Sequence, residues 1–119
     1  MFKRAHDMEV ELRNQMRGGN GTVKITHIFN KDELPEKSRL LAHLTLEKGC
    51  SIGFHEHVNE TEIFYFLRGE GIVNDNGQVY KVAAGDAVKT GNGAGHSVEN
   101  TGEEPLEFIA VIILEDANI

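Results

Sequence analysis

The sequence predicts an all-β fold, on three observations. Thirteen glycines stand against two prolines, and tryptophan is absent. Short β-branched and aromatic runs are separated by glycine-bearing breaks. Within several of those runs apolar and polar residues alternate with the two-residue period of a half-buried strand.

Residues 1–21 read as an N-terminal arm, in which Met8 to Leu12 suits an edge strand that crosses to a second subunit. Residues 22–119 read as a single domain, without an internal repeat or low-complexity segment. Thr22 to Phe29 places Val23, Ile25, His27 and Phe29 on one face and Thr22, Lys24 and Thr26 on the other. Lys31 to Arg39 is charged, contains Pro35 and reads as a solvated connector. In the strand Leu40 to Glu47, Leu40, Ala42, Leu44 and Leu46 share a face, leaving His43 with Thr45 and Glu47 opposite. Further strands are Ser51 to Val58, Glu62 to Arg68, Glu70 to Asn74, Gln78 to Val82, Asp86 to Thr90, His96 to Asn100 and Leu106 to Glu115. Asn76-Gly77 between two alternating runs signals a tight hairpin. Two strands are apolar on both faces: Ile63, Tyr65 and Leu67 oppose Phe64 and Phe66, and Ile109, Val111 and Ile113 oppose Phe108, Ala110 and Ile112. A wall of that kind needs cover on its outer side, and a second copy of the chain supplies it economically.

A chain of 119 residues can bury a core without disulfides or a structural metal, so a bound metal would serve function. The formal charge of −7 opposes nucleic acid and anionic membrane surfaces and leaves small molecules or proteins as partners. Cys50 is the sole cysteine and cannot close an internal disulfide; no secretion signal is recognisable, and the expected location is the cytoplasm. The longest apolar run, Phe108 to Leu114, falls far short of the roughly 18 residues of a membrane helix.

His55 and His57 lie two apart in a predicted strand, so both imidazoles project from one face about 7 Å apart along the chain. Glu62 opens the following strand and can return a carboxylate to the same point, adding a hard oxygen donor to two imidazoles. His96 starts another strand just after the glycine-rich turn Gly91 to Gly95, where a barrel can bring it against the first pair. An isolated His-x-His pair is commonly structural; a carboxylate and a third histidine in register change its meaning.

The run Gly49-Cys50-Ser51-Ile52-Gly53-Phe54-His55-Glu56-His57-Val58-Asn59-Glu60-Thr61-Glu62, followed by six residues and Gly69, resembles the first motif of the cupin superfamily. Gly85 through Asn100, with Gly93, His96 and Asn100 in register, resembles the second, except that Gly91 stands where the family usually has proline. Fifteen residues, Glu70 to Ala84, separate the two, as in compact single-domain microbial members. The resemblance implies an antiparallel double-stranded β-helix, or jelly-roll barrel, over residues 22–119, usually dimeric. It also implies His55, His57, Glu62 and His96 as ligands of one divalent transition metal: manganese, iron, nickel or zinc.

Three neutral imidazoles and a carboxylate leave a divalent ion with a net charge near +1 and two open positions if octahedral. That suits a metal-dependent oxidoreductase of the dioxygenase kind, or an isomerase, acting on a small oxygenated metabolite. The alternative is a non-catalytic module that captures a sugar or small acid through the ion; the enzyme is the favoured reading, since sensors of this kind often carry a DNA-binding domain and this sequence shows none. No acid or base beyond the metal ligands is assignable. Asn100 either supports the site or caps Thr101-Gly102. His27 either lines the pocket or makes a hydrogen bond at an interface. Glu60 lies in the loop before Glu62 and can reach the pocket mouth, Glu56 points to solvent, and Cys50 reads as a small packed side chain. Phe54, Phe64 and Phe66 either wall the pocket or fill the core.

Overall fold

The computed structural model describes residues 1–115; the last four residues of the domain expected over 22–119 lie outside that range. Among the described residues the strands are β1 (Glu9–Asn14), β2 (Thr22–Phe29), β3 (Ser38–Leu46), β4 (Ser51–Glu56), β5 (Glu60–Arg68), β6 (Glu70–Asp75), β7 (Gln78–Ala83), β8 (Ala87–Gly91), β9 (Gly95–Asn100) and β10 (Leu106–Leu114). Three short 3-10 turns are the only helical segments among those residues. No helix in that range is long and apolar enough to cross a membrane.

The strands form two antiparallel sheets, ordered β1-β2-β3-β10-β5-β8 and β4-β9-β6-β7. Their facing sides enclose one core built from Val23, Ile25, Leu44, Leu46, Ile52, Phe64, Phe66, Val73, Val98, Leu106 and Phe108, all essentially sealed from solvent. Strand alternation explains the membership: Val23 and Ile25 on β2, and Ala42, Leu44 and Leu46 on β3, are the inward set. Phe64, Phe66 and Phe108 stack in a tilted and edge-on cluster with centroids 4.8–6.2 Å apart. The outer side of β5 and β10 leaves Tyr65, Leu67 and Ile113 exposed. The Asn76-Gly77 hairpin joins β6 to β7, with both residues at positive φ.

The connector Lys31 to Arg39 is shorter than the sequence suggests. Ser38 and Arg39 belong to β3, because Ser38 pairs with Ile113 and Lys37 O accepts a hydrogen bond from Leu114 N, which extends the strand.

Strict alternation cannot put both Ile52 and His55 inside, since they are three residues apart. Strand β4 solves this with a bulge: Ile52 pairs with Val98 and His55 with His96, so three steps on β4 match two on β9. The extra residue turns His55 to the side that Ile52 occupies. The arm packs on this bulge. Strand β1 pairs with β2 of the same chain, from Glu9↔His27 to Asn14↔Thr22, and the turn Met16–Gly18 lies directly against β4. A Cβ on Gly53 would overlap the carbonyl oxygen of Arg17, and one on Gly19 would overlap that of Ser51. Ser51 N donates to Asn20 O, and Asn20 N donates to Ser51 Oγ, which completes the backbone seam.

Gly53→Ala is therefore expected to lower stability by about 1–3 kcal/mol through overpacking, a loss that urea denaturation would measure.

Candidate metal centre

The barrel brings together the four residues singled out from sequence. His55 ends up opposite His96 across the β4–β9 pair, so the link that spacing could not establish is a cross-strand neighbour. Strand β4 ends at Glu56, one residue before His57, but His57 stays held by backbone hydrogen bonds to Gly93 and Ala94 in the facing turn. Glu62 projects inward from β5. Four ligand atoms, one from each residue, lie within 4.8 Å of one another, and His57, Glu62 and His96 are buried. The imidazole rings are mutually close to perpendicular, with centroids 4.7–4.9 Å apart, and Phe64 stacks on His96 at 4.7 Å.

Each ring is oriented by what its Nδ1 touches. His55 Nδ1 donates to Gly53 O at 2.8 Å, and a carbonyl can only accept. His57 Nδ1 donates to the Glu60 carboxylate at 2.5 Å. His96 Nδ1 donates to Thr90 Oγ1 at 3.1 Å, and Thr90 in turn donates to Asp75 Oδ1 at 3.0 Å. With the Nδ1 protons so engaged, three neutral imidazoles present lone pairs at Nε2. His57 Nε2 lies 3.1 Å from His96 Nε2, and both lie 2.9 Å from Glu62 Oε1. With the protons placed so, four acceptors meet without a donor between them, an arrangement that a cation would satisfy. The donor set of three borderline nitrogens and one hard oxygen fits a divalent transition metal.

Electrostatics in the ion-free chain express the same demand. Burial opposes a charge on Glu62, but in the absence of an ion the three surrounding imidazoles, when they carry a proton at Nε2, outweigh burial and hold the carboxyl far below its usual range. Burial likewise opposes a charge on His57, yet Glu62 and Glu60 together raise its pKa above the ordinary imidazole value. At His96 burial prevails over Glu62 and the pKa falls. The Arg39 guanidinium, with His57, keeps Glu60 below the usual carboxylate range. Arg39 grips Glu60 with two hydrogen bonds of 2.7 Å, so a chain Arg39–Glu60–His57 leads from β3 to the centre.

A cavity of about 90 Å³ opens beside His55, His57 and Glu62. Its apolar wall includes Ile25, Leu44, Ile52, Phe64 and Ile112, and its cations are Arg13 and Arg17 from the arm and Arg39 from β3. Among the described residues, Glu62 is the only carboxylate lining it. His27 lines it too, with Nε2 3.0 Å from Glu11 Oε1 of the same chain, which is its pocket-lining placement. Phe64 shares wall and core, Phe66 is core, and Phe54 is half exposed with its ring over Gly95. Asn100 is buried and spends its amide on Leu46 O, Glu104 O and Gly102 N, which makes it a loop cap rather than a support of the centre. Cys50 packs against the core margin, and His43 faces Glu107 at 3.1 Å on the outer side. Gly91 has its own reason: a Cβ there would overlap Thr61 Oγ1, so proline would not fit this turn.

Two antiparallel sheets closed around a His₃Glu cluster define a small barrel protein with a candidate metal centre. The chain belongs to the cupin family: the cupin domain model matches residues 42–112. It is 45% identical over 114 residues to the oxalate-binding protein of Thermotoga maritima, covering 96% of this chain and 94% of that one. A solved Thermotoga maritima structure, described as a predicted oxalate decarboxylase, superposes with a TM-score of 0.91 at 45% identity over 96% of this chain and 99% of that one. A polyketide cyclase from Streptomyces resistomycificus shares only the fold, at 18% identity and a TM-score of 0.76, over 98% of this chain and 81% of that one.

The carboxylate shifts give the metal-free protein a signed pH dependence. Glu60 and Glu62 titrate below their ordinary 4.5 in the folded chain, so their contribution is present above about pH 4.5 and is lost as pH falls toward the folded values. Urea midpoints of the metal-free protein should fall steadily below pH 4.5, and less steeply in Glu60→Gln.

Proposed function

We propose that His55, His57, Glu62 and His96 bind one divalent transition metal, manganese, iron, nickel or zinc, and that the centre captures a small dicarboxylate of the oxalate class. The observation that carries this reading is the convergence of four acceptors with no donor among them. The ion supplies Lewis acidity and, if six-coordinate, two open positions that a bidentate carboxylate can fill. The chain's own residues do the rest. Gly53 O, Glu60 and Thr90 hold the imidazoles in the tautomer that leaves Nε2 free. Ile52, Phe64 and Ile112 exclude water, and Arg17, the lining arginine without an acidic partner among the described residues, makes the cavity favourable to anions. The oxalate-binding relative, similar along nearly its whole length, supports the choice of ligand.

Binding without turnover accords with the oxalate-binding relative. A second reading, a metal-dependent oxidoreductase or isomerase, rests on His27. Among the described residues it is the one imidazole in the cavity outside the cluster, and Glu11 orients it for proton transfer.

The outer face of β3, β10 and β5 supports a homodimer. Leu41, Ile63, Tyr65, Leu67, Ile109, Val111 and Ile113 lie on that side, several of them exposed, in a patch that a second copy would cover.

Protein purified without oxygen should retain about one transition-metal ion per chain, and His96→Ala should lose it. Calorimetry should detect oxalate binding only in the metal-loaded form; equal binding by metal-free protein would overturn the reading. Lowering the pH through the raised His57 value should weaken metal affinity by about tenfold per unit, because a proton then competes for the same nitrogen. Sedimentation should report a dimer, and Val111→Glu a monomer with unchanged far-ultraviolet dichroism.

A further inference from the structure

Three arginines line the cavity, and two of them already have acidic partners. Arg13 meets Glu11 through Nε at 3.0 Å and Nη2 at 2.7 Å, and Arg39 meets Glu60 through two bonds of 2.7 Å. His27 faces the same Glu11. Arg17 alone among the lining cations has no hydrogen bond or ion pair within the described residues. Its backbone is nonetheless fixed. Its carbonyl oxygen sits on Gly53, its φ is 54°, and Gly18 N and Gly19 N bond back to Gln15 and Met16 on either side of it. A cation that lines the cavity, without a counter-charge among the described residues, in a chain of net charge −7, is poised for an anion.

The charge balance states which anion. A divalent ion and the Glu62 carboxylate leave one formal positive charge at the centre. A monoanionic chelator neutralises that charge, whereas a dianion exceeds it by one. With Arg13 and Arg39 neutralised by their partners, Arg17 is the group that restores the balance for a dianion.

We propose that Arg17 is a specificity-determining residue that selects dianionic over monoanionic chelators at the metal centre. This rests on the metal-dependent dicarboxylate binding proposed above. The arm, not the barrel, then reads the charge of the ligand.

The test compares manganese-loaded wild type with Arg17→Asn, whose side chain tolerates the left-handed backbone, and with Arg17→Lys, which keeps the charge. Calorimetric titration with oxalate and with glycolate measures dianion against monoanion. Manganese affinity and thermal midpoint, both expected to be unchanged, report on folding. Arg17→Asn should weaken oxalate by about tenfold to a hundredfold, the range of a charge-assisted hydrogen bond, and glycolate by less than about threefold. Arg17→Lys should recover most of the oxalate affinity, and added salt should weaken oxalate binding more in wild type than in Arg17→Asn. Unchanged oxalate affinity in Arg17→Asn, with wild type binding oxalate, would overturn this inference alone. Equal losses for both ligands would also overturn it. Wild type that binds manganese but not oxalate would overturn the dicarboxylate reading and this inference with it.

Discussion

Four hydrogen-bond acceptors pointing at one another is the constraint on which the rest of the structure depends. In a buried setting such an arrangement is repulsive unless a cation occupies it, so the fold must hold the four groups together against their own electrostatics. It does so through their far sides. A backbone carbonyl, a carboxylate and a hydroxyl each take the Nδ1 proton of one histidine, and Phe64 lies flat on the His96 ring. The three supports come from different places: the β4 bulge, the first residue of β5, and β8 backed by Asp75 at the end of β6. Both sheets must close before the centre exists.

The motif and the alternation pattern made much of this legible. Inward and outward residues on β2 and β3 follow directly from period two, and the ligand positions follow from the cupin motifs, to which the matched domain now attaches the chain. Other features were out of reach for physical reasons. A bulge leaves no mark in an apolar pattern beyond a glycine, so the pairing of His55 with His96 had no local signal. Arg39 sat at the end of a charged stretch indistinguishable from a solvated loop, and only the pairing of Ser38 with Ile113 shows that it is strand. Arg17 was invisible for a different reason: a cation is noticed by its partners, and this one has none among the described residues.

Glu60 shows how close a signal can come without being read. It lies two residues before Glu62, and strand alternation sends both side chains toward the same side of β5. The expectation that Glu60 could reach the pocket mouth captured its direction. Its grip on His57 depends on Arg39, which arrives from β3 across β10 and so from a long way off in sequence.

The seam between the arm and the bulge separates two duties along the chain. The candidate metal ligands all fall between Gly49 and Asn100, while Arg13 and Arg17 fall before Thr22, and the turn that carries Arg17 meets the barrel through backbone contacts at Gly19 and Gly53. Backbone contacts are indifferent to side-chain identity. The residues facing the cavity from the arm are therefore free to vary while the seam stays intact, so descent can alter the selectivity of the mouth in one short stretch without disturbing the inherited centre beneath it.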